Sequence, residues 1–198
     1  MPLIRLATLC AATLLLAACA PRMTELPQPP ERLSQYGYSF MPLDEPGWKV
    51  GGRDGQRIIL GRIGQSPDAT VVIMAGNAPI PHFTSRAGFE SYVRDKIHSD
   101  NHAGGRFTVQ TEEIQPMHHD GADCMQAHVV SIDHQAKKRS GRKGAMSLEL
   151  LQLTCRHPHD DGTATFLGYS QRAYPERRDP DFMHKGERLI DSLRFSKF

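Results

Sequence analysis

The chain has 198 residues, with 24 Lys and Arg against 22 Asp and Glu for a formal charge of +2. That near balance argues against a nucleic-acid binder, which would show a strongly basic surface. The length supports one domain with a proper core rather than a disulfide-stapled miniature.

Arg5 precedes an apolar run from Leu6 to Ala18. The run is too short to cross a bilayer, which takes about 20 apolar residues, so residues 1–18 read as a signal peptide. Its end, Leu16-Ala17-Ala18-Cys19, resembles the lipobox of bacterial lipoproteins. The resemblance implies cleavage before Cys19, a thioether-linked diacylglycerol on its sulfur and an acyl chain on the new amino group. A thiol is the soft nucleophile this transfer needs, and small residues at Ala17 and Ala18 leave the backbone open to a peptidase. One acyl chain anchors marginally and two or more anchor stably, at about 0.8 kcal/mol per buried methylene. The alternative is an ordinary secreted protein cut near Ala18 or Ala20. Ala20 stands where an aspartate would signal inner-membrane retention, so the resemblance implies the periplasmic face of the outer membrane. Without the signal the net charge is near +1, because only Arg5 is lost.

Residues 19–35 are expected to be the lipidated N-terminus and an extended tether, since Pro21, Pro27, Pro29 and Pro30 stand among few aliphatic side chains. A single globular domain is expected over 36–198. Gly47–Gly51, Gln56–Arg62 and Ala69–Gly76 read as a small antiparallel meander, with turns at 51–55 and 65–68. Thr84 or Ser85 caps a helix to about Ser99, with Phe89, Tyr92, Val93 and Ile97 on one face. Arg106–Met117, two further strands and Thr163–Ala173 give a second antiparallel run. Asp179-Pro180 reads as the start of a last helix whose stripe is Phe182, Leu189, Ile190 and Leu193, and Ser192–Phe195 leaves it.

Cys10 leaves with the signal and Cys19 is consumed by lipid, so Cys124 and Cys155 remain as an even pair in an oxidising compartment. Ala122–His134 and Ala145–Cys155 alternate as strands around the polar turn 135–144. If paired residue numbers sum to 279, Cys124 faces Cys155 and His134 faces Ala145, so a disulfide is expected. A redox or metal-binding thiol pair is the competing reading, but the sequence has no Cys-x-x-Cys.

This layout, with Pro46-Gly47-Trp48-Lys49-Val50, Gly168-Tyr169-Ser170-Gln171-Arg172 and Asp191-Ser192-Leu193-Arg194-Phe195, resembles the PsbP-like fold shared by photosystem II extrinsic subunits, Ran-binding proteins and bacterial lipoproteins. The resemblance implies an α+β architecture, an antiparallel sheet with two packed helices in an α/β/α sandwich, and a binding or accessory role. Cys155-Arg156-His157-Pro158 is also similar to an element of bacterial lipoproteins of this kind. No motif carries over the Ran-binding interface.

Catalytic motifs are weak. Gly168–Arg172 begins like a nucleophile elbow, but Arg172 replaces the needed glycine and Ser170 reads as a strand residue. Ser140-Gly141-Arg142-Lys143 matches Ser-x-x-Lys, yet a lysine at a solvated turn stays protonated and cannot act as a base. Neither a catalytic residue nor a cofactor is expected. His118 and His119, beside Met117 and Asp120, and His157 and His159, beside Asp160 and Asp161, suit zinc or copper chemically, although solvated loop histidines are the commoner case. Lys137, Lys138, Arg139, Arg142 and Lys143 make a basic tip. It reads either as a solvated hairpin end that discourages edge aggregation or as a contact for an anionic partner: a phospholipid head group, lipopolysaccharide phosphate or an envelope protein. The expected function is a non-catalytic binding or accessory module of the cell envelope. Metal binding is the alternative and an envelope hydrolase the third reading.

Overall fold

The computed structural model describes residues 23–198. Among the described residues, eleven strands and two α-helices run in the order β1 Thr24–Glu25, β2 Leu33–Gln35, β3 Tyr38–Phe40, β4 Lys49–Arg53, β5 Arg57–Ile63, β6 Thr70–Pro79, α1 Arg86–His102, β7 Phe107–His119, β8 Ala122–Asp133, β9 Met146–Arg156, β10 Thr163–Ala173, α2 Phe182–Asp191 and β11 Arg194–Phe195. Eight strands form one sheet in the order β1-β4-β5-β6-β10-β9-β8-β7, and β11-β3-β2 form a second, smaller one. The two expected strand runs are thus a single sheet, fused by the antiparallel pairing of β6 with β10.

Alternation along the strands sends side chains to two faces. Cys124, Leu151, Leu153, Leu167 and Tyr169 join Phe182, Leu189, Ile190 and Leu193 in the main core, under α2 and the small sheet. Met125 belongs to the other face, with Phe89 and Val93 of α1, and Tyr92 and Ile97 pack against them. The result is the expected α+β sandwich, a large antiparallel sheet between two helices. Ser85 caps α1 by accepting the Gly88 N–H at 3.2 Å. The helix runs past Ser99 to His102. α2 starts at Phe182, later than a proline at the first helical position predicts, because the Asp179 carboxylate accepts the Asp181 N–H at 3.0 Å and folds Pro180 into a turn ahead of the helix. Gly186 lets α2 lie close on the sheet: a Cβ there would stand 2.7 Å from Leu151 Cδ2.

Two differences matter for function. The segment expected to be a tether already carries β1, paired with β4, and β2, paired with β3. An edge strand needs main-chain partners more than a core of its own, and Leu26 and Leu33 still reach the main core. The β4 strand also runs to Arg53 because a bulge at Gly51 absorbs the expected turn residue.

Candidate functional site

Cys124 and Cys155 face each other across β8 and β9, with Cα atoms 4.0 Å apart, and are disulfide-bonded. The register runs without interruption to Asp133 opposite Met146, one residue short of the expected His134–Ala145 pair. Cys19 lies outside the described residues.

The basic tip is not a free hairpin end. The loop after β8 folds back onto the β5–β6 turn, where Asp68 gathers it. Asp68 Oδ1 accepts the main-chain N–H groups of Arg139 (2.5 Å) and Ser140 (2.7 Å). Its Oδ2 accepts the Ser140 hydroxyl and the Tyr174 hydroxyl, the latter at 2.9 Å. The Ser140 hydroxyl and amide, with Tyr174 and Arg139 behind them, hold the Asp68 carboxyl far below the usual carboxylate range. Arg142 pairs with Glu176 at 2.6 Å and lies over the Tyr174 ring at 4.1 Å. Lys138 donates to the Gly144 carbonyl, and Lys137 and Lys143 point outward as exposed residues. Ser140, the serine of the Ser-x-x-Lys match, therefore serves as a loop fastener.

This fold-back brings Arg139 to a groove of about 530 Å³ on the sheet face opposite α2, lined by Met23, Lys49, Gly61, Ile63, Val72 and Arg139 among others. Helix α1 packs on β7 and β8, and among the described residues no helix lines this groove over β4–β6. Met23 is 62% exposed and Ile63 48%. Glu25 offsets one cation by pairing with Lys49 at 3.1 Å.

The expected histidine pairs are not brought together as ligands. His118 and His119 are consecutive strand residues and so point to opposite faces. His118 Nδ1 stands 3.7 Å from Asp123, while His119 Nε2 donates to the Leu193 carbonyl at 3.0 Å. His157 is buried, donating from Nε2 to the Gly37 carbonyl at 2.8 Å and accepting the His159 N–H at Nδ1. Burial pushes its pKa down and keeps the ring neutral. Met117 packs against the main core. Among the described residues, the group whose ligand atoms lie within 4.8 Å of one another is His98, His102 and Glu112. The sequence signal for it is His-x-x-x-His, hidden when the helix is stopped at Ser99.

A polar cleft of about 230 Å³ beside α2 holds Arg62, Glu45, Asp179 and Lys185. Arg62 meets Glu45 at 2.5 Å, and Lys185 meets Glu45 at 2.9 Å and Asp179 at 2.5 Å. Burial pulls Lys185 down, but its two carboxylate partners outweigh it and push the amine up to about 12. Such a lysine stays protonated and holds structure rather than moving protons. Ser170 lies within β10.

No helix of the described residues is long and apolar enough to cross a membrane. No protein-family model and no curated protein matches the chain. Among solved structures the chain is similar to cyanobacterial PsbP (CyanoP) from Synechocystis sp. PCC 6803, in solution, at 13% identity and a TM-score of 0.46, over 91% of this chain and 99% of that one.

Proposed function

We propose that this chain is a lipoprotein of the bacterial envelope, anchored through Cys19 in the periplasmic leaflet of the outer membrane, where it acts as a non-catalytic binding or accessory module. In this reading the uncovered face of β4–β6 and the basic loop 134–145 rest on the anionic head groups of the anchoring membrane. The observation that carries it is the groove shared by Met23 and Arg139. Five residue steps separate Cys19 from Thr24, a reach of at most about 18 Å. A lipid on Cys19 thus keeps this edge of the sheet near the bilayer, and the loop fastened by Asp68 adds cations to the same side. The internal use of Ser140 and Lys185 supports a role without catalysis.

The test is flotation of unlipidated residues 20–198 with vesicles of phosphatidylethanolamine and phosphatidylglycerol. A lysine near an anionic surface contributes about 1 kcal/mol. Replacing Lys137 and Lys143 by glutamine should then weaken binding about 30-fold, and salt should weaken it as well. Binding that is equal on neutral vesicles, or unchanged in the variant, overturns the membrane contact.

A further inference from the structure

We propose that His98, His102 and Glu112 form a transition-metal site, with zinc as its fitting ion, that joins the last turn of α1 to strand β7. This inference is independent of the membrane reading.

The geometry starts in the helix. Residues four apart share one face of an α-helix, so His98 and His102 stand side by side, with ring centroids 4.3 Å apart. The chain then reverses through Gly104 and Gly105, whose φ values of 77° and 64° are left-handed and suit glycine. It returns as β7, packed against the same helix.

Glu112 reaches the helix because β7 carries a bulge. Val109 pairs with Ser131 and Thr111 with Val130, so Gln110 is an extra residue. An extra residue exchanges the faces of all those beyond it. Glu112 is paired with Val129 and Ile114 with Ala127, and Ile114 packs in the α1 cluster. Glu112 is therefore turned toward α1. Its Oε1 lies 2.8 Å from His98 Nδ1, and its Oε2 lies 4.0 Å from His102 Nε2.

Zinc bonds to nitrogen and oxygen of about 2.0–2.2 Å place tetrahedral ligand atoms about 3.3–3.6 Å apart. One ligand atom from each of the three lies within 4.8 Å of the others, and side chains that are 63%, 49% and 16% exposed leave His98 and His102 free to close in around a more fixed Glu112. Two imidazoles and one carboxylate are a donor set for zinc that leaves the fourth position to water. Asn101 completes the arrangement by donating from Nδ2 to Glu112 Oε2 at 2.8 Å. A hydrogen-bonded partner of this kind orients a ligating carboxylate.

The experiment is calorimetric titration of the untagged full-length protein, purified in detergent, with zinc chloride, backed by the visible spectrum of the cobalt-loaded protein. One equivalent should bind with a micromolar or lower Kd, and cobalt should give the intense bands of a four-coordinate site. His98→Gln with His102→Gln, or Glu112→Gln alone, should weaken binding at least tenfold while the thermal melt without metal stays as in the parent. His118→Gln with His159→Gln should leave binding unchanged. Binding no tighter than millimolar overturns the proposal. So does binding that survives loss of His98 and His102, or that is lost with His118 and His159.

Discussion

Replacing both Cys124 and Cys155 by alanine tests the link between covalent chemistry and fold. The bond closes a chain segment with a sequence separation of 31. In the chain-entropy treatment this removes about 12 cal/mol/K from the unfolded state, or about 3.7 kcal/mol at 25 °C. The bond sits at the open end of the β8–β9 hairpin, away from the loop, and both cysteines are buried in the main core. Loss of the two sulfur atoms there adds up to about 1 kcal/mol of packing. The variant should therefore lose about 4 kcal/mol, and its Tm should fall by roughly 8–16 °C for a domain of this size. Urea unfolding followed by circular dichroism is the assay, with oxidised parent, reduced parent and variant compared. The reduced parent should lose most of the same stability, and the urea slope should rise as the unfolded chain expands. A loss below about 1 kcal/mol in both would show that the bond does not stabilise the fold by constraining the unfolded chain. Two reactive thiols in denatured, unreduced parent would refute the bond itself.

Gly186→Ala sets helix propensity against packing. Alanine favours the helix by about 1 kcal/mol, while the new Cβ at 2.7 Å from Leu151 costs about 1–3 kcal/mol. Net destabilisation of about 1 kcal/mol is expected, and its sign should reverse in a Leu151→Ala background; equal effects in both backgrounds would exclude the contact. Asp68 carries the pH response of the loop. Its folded pKa is depressed from 3.8, so its contribution is fully present above that value and is lost as pH falls below it toward the folded pKa. Trypsin cleavage at Lys137–Lys143 should rise in Asp68→Ala at pH 7, and equal rates in parent and variant would show that Asp68 does not fasten the loop.

Much of this fold is legible in the sequence because the decisive signals are local or repeated. The alternation from Ala122 and from Met146, with one cysteine on each strand, defines the hairpin register to within a residue. Phe89 and Val93, and Phe182, Leu189 and Ile190, mark the buried faces of the helices by spacing alone. What escapes has a physical cause in each case. The prolines of 20–35 argue against a core, but β1 and β2 need only main-chain partners on other strands. The fastening of Ser140 to Asp68 spans 72 residues, and nothing local to either residue announces it. His102 is hidden by a helix that outlasts its apolar stripe, and the turning of Glu112 depends on a bulge at Gln110 that no residue type marks.

The proposed anchor is lipid on Cys19, which would hold this domain on its membrane. Alkyne-palmitate labelling of bacteria that express the parent or Cys19→Ala, followed by membrane fractionation, tests it most directly. A labelled, membrane-bound parent is expected, with an unlabelled variant that no longer carries the acyl chains. An unlabelled parent, or a variant that keeps its label, contradicts it.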